Sequence, residues 1–478
     1  MSVSSIFSSL EEFFINVIDE IDGDLFLSRS GRGIFSPALS IWLMICQRTQ
    51  HRQSLLGSLE SLANGSSDKI LERNIRSKKS KLKDVSLNTG GLSKARTRVD
   101  ASLVREVGEV ISSRLLEEQT KLWHGKRVLI MDGTLIAIPQ SKANQTEYPR
   151  HSNQNGFNYS SHLRCMCFHE LYSGVAVSPA LGAYKGSKVK SEQSLALKVI
   201  PSLPDKSLLL GDANFGVFNI AYSADKAGHE VLVRLTEPRA KKLLKEVVTK
   251  KSLDKEILWE PTEGYIKKYS DLPAKASVKG RLIKKTIKNP KCKPLELYFF
   301  TNSSQTASQL VNLYKKRDKV EHDIRSIKNV LGMEMLSTKT PEMLEKELIL
   351  GYAAYNLMRA IVAKAANKLS LLPRKISFSR ACALVQIYAN KIKSATSKKE
   401  YNKLMNEFYK GLSQSKIPNR KKMRIEPRKV ARVKKLLPVM KKTREEEREI
   451  AKNKLLETGN RKQGTTLNRK KSKKLKTC

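Results

Sequence analysis

Arg127-Val-Leu-Ile-Met-Asp-Gly-Thr134 and Ser207-Leu-Leu-Leu-Gly-Asp-Ala-Asn-Phe-Gly216 decide the fold. Each is a short, continuous apolar run closed by Asp and glycine. Runs of this length bounded by turn residues favour a strand over a helix, and unbroken apolarity favours one buried on both faces. His162–His169 and Val175–Ala183 supply two further strand candidates, Ser191–Ile200 suits a helix, and Val217–Ala227 and Glu230–Leu235 follow as helix and strand. Strand, strand, strand, helix, strand, helix, strand is an α/β layer pattern with the two apolar runs at its centre.

Asp132 and Asp212 are expected at the carboxyl ends of neighbouring central strands, the edge where open α/β sheets build their sites. Two such carboxylates can share a divalent cation, although Asp-Gly is also an ordinary turn. A strand at Leu297–Thr301 then leads to a helical segment expected over Ser308–Val330. At about 100° per residue, Tyr314, Arg317, Glu321 and Lys328 form one narrow stripe. Leu313, Val320, Ile324, Ile327 and Leu331 form a buried stripe beside it. The polar stripe carries one carboxylate as a third metal ligand, two cations for phosphate, and a phenol for a backbone oxygen or a base.

The charge narrows the partner. The chain has 478 residues, 90 Lys+Arg against 46 Asp+Glu and a formal net charge of +44, with 40% apolar residues. That is a folded protein whose surplus calls for a polyanion, with nucleic acid the first candidate and an anionic membrane the second. A small-molecule enzyme has no need of it. Residues 1–64 are mildly acidic, with four Lys+Arg and seven Asp+Glu, and they read as helices. Basic character starts at Arg73–Lys83, and Ser93-Lys-Ala-Arg-Thr-Arg98 opens a helical pattern running to about Leu122. Residues 416–478 hold 24 Lys+Arg and six Glu. Pro418, Pro427 and Pro438 break the first half of that block, Arg444–Leu456 suits a charged helix, and Arg461–Lys476 reads as a solvated tail. Cys46, Cys165, Cys167, Cys292, Cys382 and Cys478 form no paired knuckles and read as reduced thiols. The N-terminus lacks a basic and then apolar leader, and the run Ala38–Cys46 is far short of the ~20 residues that span a bilayer, so no membrane role is expected.

The spacing Tyr-x₂-Arg-x₃-Glu-x₆-Lys at Tyr314, Arg317, Glu321 and Lys328 resembles the signature of the DDE transposases of insertion sequence family four. Met131-Asp-Gly-Thr134 is similar to that family's first Asp motif, and Gly211-Asp-Ala-Asn-Phe-Gly216 to its second. Leu331–Leu336, Thr340–Met343 and Tyr355–Arg359 resemble the segment after the glutamate, and Ser93–Arg98 the short basic motif ahead of the core. The likeness covers about residues 90–435. Asp318 stands where the signature helix often carries Trp, which marks a divergent subgroup or a weakened DNA contact.

The resemblance implies a ribonuclease H-like core, a mixed five-stranded sheet flanked by helices, with a β-rich insertion. Its implied layout is a helical DNA-end-binding region at 1–122, a first core part at 123–236, the insertion at 237–295, core completion at 296–372, and a helical, basic C-terminal region at 373–478 for dimerisation or DNA contact. Trp259, Tyr265 and Tyr269 in the insertion read as local packing. The implied activity is cut-and-paste transposition, by strand cleavage and strand transfer at terminal inverted repeats. Asp132, Asp212 and Glu321 would hold two Mg²⁺ or Mn²⁺ ions, while Tyr314, Arg317 and Lys328 hold phosphates. Lys94, Arg96 and Arg98 would touch end DNA. Double-stranded DNA at transposon ends and target is the implied partner, in a homodimeric paired-end complex using a helix such as Ala353–Lys368 or Arg444–Leu456. No small-molecule cofactor is expected, and the place of action is the cytoplasmic nucleoid. A catalytically silent DNA-binding regulator and another ribonuclease H-like nuclease are the alternatives.

Overall fold

The computed structural model describes residues 6–27, 34–50, 53–65, 67–73, 85–153, 156–157, 160–245, 252–269, 272–273, 275–289, 292–417 and 442–457. Residues 74–84, Pro418, Pro427, Pro438 and the basic run Arg461–Lys476 lie outside them. Eight strands form one mixed sheet: β1 (Val128–Ile138), β2 (Ser161–Glu170), β3 (Ala180–Ala183), β4 (Leu208–Gly211), β5 (Glu230–Leu235), β6 (Ser252–Trp259), β7 (Val278–Asn289) and β8 (Cys292–Thr301). Their order is β3-β2-β1-β4-β5-β8-β7-β6. β1, β4 and β5 are mutually parallel, and the remaining pairings are antiparallel. The first five strands are the mixed α/β sheet expected of a ribonuclease H-like core, with the apolar strands β1 and β4 at its centre.

The insertion does not stand apart as a separate β unit. β8 pairs along β5, and β7 and β6 continue outward from it. Without β8 the last core strand would leave a row of unpaired backbone groups, so covering it extends the sheet instead of ending it. Trp259 packs edge-on against Phe300, ring centroids 4.7 Å apart, and Tyr265 lies against Tyr269 at 4.7 Å. Both are local packing.

Side-chain alternation divides the core. Leu129, Met131 and Leu209 share one face with Phe218 and the N-terminal helices. Val128, Ile130, Leu208, Leu210 and Leu232 share the other with Leu310, Leu313 and Val320 from the segment that carries Glu321. The 28-residue helix Pro341–Lys368 is buried along most of its length and packs against Ala101–Glu117 and Pro37–Thr49. Buried Arg48 pairs with Glu347, and the buried Lys346 ammonium donates to the Thr97 carbonyl at 3.2 Å. This helix is buried on nearly every side, its few enclosed charges paired, which makes it a core element. Its Ala353–Lys368 half is therefore not free to mediate dimerisation as expected.

Two other expectations need correction. The pattern from Ser93 to Leu122 is two helices, Thr89–Arg98 and Ala101–Glu117. Asp100 separates them, its carboxylate accepting from the Ser102 amide at 2.7 Å as an N-cap. Of Val175–Ala183, only Ala180–Ala183 is a strand. The Asn356 side chain from the long helix occupies the backbone groups of Ala176 instead, accepting at 2.8 Å and donating at 2.7 Å.

A buried charge cluster fastens the long helix to the sheet. Asp323 is fully buried and accepts from Arg359 at 2.6 Å and from Arg374 at 2.7 and 2.9 Å. Arg374 also donates to the Glu170 carbonyl at the end of β2, 2.8 Å away. Arg359 donates to the Tyr355 hydroxyl, which donates in turn to the Gly174 carbonyl, each at 2.9 Å. The two guanidinium groups hold the Asp323 carboxyl below its ordinary range against the opposing effect of burial. His169 lies 3.7 Å from Asp323, but burial pushes its imidazole down to about 4, so the ring is neutral at pH 7 and this approach is not an ion pair.

Removing one member of a buried ionic cluster strands the others. Asp323→Ala should destabilise the fold by about 3–5 kcal/mol, measured by urea unfolding, and a loss below 1 kcal/mol would show that the arginines find other partners. His169 gives a pH dependence of definite sign. Its folded pKa lies below the unfolded value, so the unfolded chain takes up a proton first as pH falls. Stability should drop between pH 6.5 and 4, by at most about 3 kcal/mol. A His169→Gln protein should show a shallower decline over that window, and an unchanged slope would assign the acid sensitivity elsewhere.

Candidate active site

The two Asp motifs meet through strand register. Val128, Leu129 and Ile130 pair with Leu208, Leu209 and Leu210 in parallel. Continued by two residues, that register sets Asp132 beside Asp212 on adjacent strands, ~4.8 Å apart along the hydrogen-bonding direction. Both share parity with Ile130 and Leu210, so both project to the face covered by the Glu321 segment. Asp132 is not at a strand end as expected. β1 runs on to Ile138, because its second half still pairs with β2, while β4 stops at Gly211. Asp132 stands where β1 loses its parallel neighbour.

The surroundings of Asp132 raise its carboxyl to about 6. Burial is the main cause, Asp212 and Glu192 add repulsion, and the Gly133 amide (2.9 Å) and Arg317 oppose it. Asp212 closes an Asx turn, accepting from the Asn214 amide at 2.9 Å. Arg239 pins that loop by donating to the carbonyls of Ala213 at 2.7 Å and Gly216 at 3.1 Å. Gly216 is required there, since a Cβ would sit 2.1 Å from the Arg234 carbonyl oxygen.

The expected continuous helix over Ser308–Val330 is three pieces. Ala307–Tyr314 and Lys319–Arg325 are α-helical, and Ser326–Val330 is a π-helix. Between the first two, the amides of Lys316, Arg317 and Lys319 reach back only three residues, to Leu313, Tyr314 and Lys316. The charge order accounts for the break. Lys315, Lys316 and Arg317 suit a helix C-terminus and Asp318 suits the next N-terminus, each complementing the local helix dipole. Asp318 lies exposed at that second N-terminus without a side-chain cap bond. Tighter winding followed by looser winding voids the even 100° spacing behind the expected stripe.

Tyr314 remains half-buried, its ring 4.7 Å from Phe299 in an edge contact, with Arg317, Arg234 and Asp212 as its charged neighbours. Burial raises its phenol. Arg317 connects the cluster outward, acting on Asp132 and donating to Glu321 at 3.3 Å. The Glu321 side chain is 58% exposed and stands at the margin. Lys328 is half-buried farther along β2, near Cys165 and Glu334. Cys165 pairs with Thr134, two residues beyond Asp132. The structure thus gathers Asp132, Asp212, Tyr314 and Arg317, links Glu321 through Arg317, and sets Lys328 apart. Among the described residues, no three His, Cys, Asp or Glu side chains stand close enough together to hold a metal ion. Lys94 and Arg98 are exposed on Thr89–Arg98, whereas Arg96 turns into a cavity beside Arg48, Gln53 and Glu347.

Sequence reasoning missed Glu192. Its carboxylate accepts from the Asn214 side-chain amide at 2.7 Å and lies 4.0 Å from the Arg164 Nε. It also fills the space behind Gly133, where a Cβ would come within 2.4 Å of it. Glu192 therefore touches both Asp motifs. In the sequence it is an acid in the first turn after Ser191, indistinguishable from an ordinary helix start.

Two comparisons bear on this arrangement. Residues 123–357 match the family model described as the transposase DDE domain, an interval that contains Asp132, Asp212, Tyr314, Arg317, Glu321 and Lys328. The chain is also 26% identical over 311 residues to the transposase InsG for insertion sequence element IS4 of Escherichia coli (strain K12), covering 61% of this chain and 65% of that protein. With two aspartates set side by side by the register of β1 and β4, and the Tyr-Arg-Glu-Lys residues on the segment above them, residues 123–357 are similar to a transposase DDE domain, and the chain is similar to an insertion sequence transposase over 65% of that protein's length.

Proposed function

We propose that this protein is a DNA transposase that cleaves transposon ends at terminal inverted repeats and joins them to target DNA. The observation that carries the reading is the pairing of Asp132 with Asp212 under Arg317 and Tyr314. Domain roles follow the sequence reading: a core from 123–236 and 296–372, the sheet-extending insertion 237–295, and DNA-end contact from the N-terminal region. Lys94 and Arg98 would touch phosphates, while Arg96 organises their helix from inside. A homodimer would hold the two ends, with Arg444–Glu457 as one helix available for contact.

The residues fit a divalent cation. Asp132 and Asp212 repel one another in a partly buried place, and Glu321 is exposed, its side chain held among the described residues by Arg317 alone. Asp132, Asp212 and Glu321 would together hold two Mg²⁺ or Mn²⁺ ions. When bound, such ions supply an activated water and charge stabilisation on the attacking and leaving oxygens. Arg317 is suited to a bidentate grip on a phosphate beside the scissile bond, and Tyr314 offers its hydroxyl to a backbone oxygen. Lys328 acts as a point charge on a neighbouring phosphate. Asn214 and Glu192 orient the loop that carries Asp212.

An Asp212→Asn protein should bind end DNA as the wild type does and show no nicking in Mg²⁺ or Mn²⁺. Gel analysis of labelled ends checks this, and retained nicking would refute the assignment. Glu192→Ala should lower cleavage about 10–100-fold and raise the Mn²⁺ concentration needed for half-saturation in a direct binding titration. Glu192→Gln keeps an oxygen for Asn214 and should recover most of both. Equal behaviour of the Ala and Gln proteins would remove the orienting role.

A further inference from the structure

The far side of the Glu321 helix carries a second basic feature. A cavity of about 400 Å³ opens between Lys319–Arg325 and the start of the helix Phe378–Lys393. Lys319, His322, Arg325 and Arg374 line it, with Asn329 and Ser379 as neutral donors. Its one acid among the described lining residues is Asp323, already shared by Arg359 and Arg374. The Lys319 side chain is half-buried beside Arg374 and Lys316 and forms no ion pair among the described residues. Arg374 is nine-tenths buried, and its Nε has no hydrogen-bond partner. A partly buried cation without a counter-charge, such as Lys319, costs free energy unless an anion completes it.

We infer that this groove grips phosphates of the DNA backbone at a place separate from the cleaved bond. The inference rests on the reading of the protein as a DNA transposase. Lys319, His322, Asp323 and Ser326 line one side of the segment, Glu321 falls between them and points away, and Arg325, one turn after Glu321, reaches the cavity from the edge between the two sides. The groove and the Asp132–Asp212 pair are therefore on different sides of one helix, whose diameter with side chains is ~10–12 Å. A strand held in the groove contributes affinity and orientation without touching the reacting phosphate. Phosphate contacts position a protein on DNA and carry no sequence information themselves.

The test is a Lys319→Gln, Arg325→Gln double variant of the full chain, with binding of a labelled transposon-end duplex followed by anisotropy from 50 to 200 mM salt. Two lost contacts should reduce the slope of log K against log salt by about 1.8 and weaken binding about tenfold or more at physiological salt. Nicking at saturating DNA should stay within about twofold of wild type. An unchanged salt slope, or binding of inorganic phosphate in the groove with no change in the DNA slope, would overturn the inference. Should the double variant unfold on thermal melting, Lys319→Gln alone should still lower the slope by about 0.9. A wild-type protein that binds ends and does not cut them would count against the transposase reading and leave the slope comparison intact.

Discussion

Much of this structure turns on the carboxylate of Asp323. Buried and paired with two arginines, it joins three parts of the chain that are distant in sequence: the Glu321 segment, the long helix through Arg359, and the end of β2 through Arg374. Such a cluster is an uncertain source of stability, because the cost of taking three charges out of water offsets most of their attraction. Its geometric consequence is firmer. Guanidinium groups donate along fixed directions, so the Lys319–Arg325 helix can turn or slide only by breaking several charged bonds. Glu321 lies two residues from this anchor, and a helix places that spacing on nearly opposite sides. One side is fixed in the core, and the other presents the carboxylate to solvent and to Arg317.

That division makes sense of a site whose third carboxylate stands apart. Three acids brought together in a partly buried place would repel one another, and the raised carboxyl of Asp132 already registers the nearness of Asp212 and Glu192. Arg317 sits between Asp132 and Glu321 with a charge of the opposite sign. It opposes the repulsion felt by Asp132 and holds the Glu321 carboxylate by one bond. The backbone beneath needs no rearrangement, because the register of β1 on β4 sets the two aspartates and the Asp323 anchor sets the helix.

Much of this is legible in the residues. Val128–Met131 and Leu208–Leu210 read as buried central strands because a run so short, apolar at every position, suits a strand covered on both faces. The strand Glu230–Leu235 and the helix near Phe218–Lys226 are equally plain. Asp132 looks like the end of a strand because its Asp-Gly-Thr sequence resembles a turn. What keeps β1 extended is pairing with β2, a contact between residues some thirty positions apart that no local pattern reports. The broken helix at Lys315–Asp318 is legible in principle: three cations followed by an acid is a stop and a start in charge. Apolar periodicity across the break outweighs it, since Leu313 and Val320 are both buried against the sheet. Glu192 has no distinguishing signal, because an acid at a helix N-terminus is expected whether or not it faces a site.

The distribution of charge acquires a structural meaning from these elements. Of the cations singled out by spacing, Arg96 turns inward, so position in a basic motif does not itself make a phosphate contact. Lys319 falls outside the stripe of Tyr314, Arg317, Glu321 and Lys328 and Arg325 borders it, yet both line a cavity whose only described acid is already spent on two arginines. A helix that carries a carboxylate on one side and the unpaired Lys319 ammonium on the other can separate two kinds of contact with a polyanion. A cation set close to a carboxylate occupies it, as Arg317 does Glu321. Cations on the far side hold the strand without occupying that carboxylate. The broken, unevenly wound segment permits this arrangement, since a uniform helix would have drawn all four signature residues onto one edge.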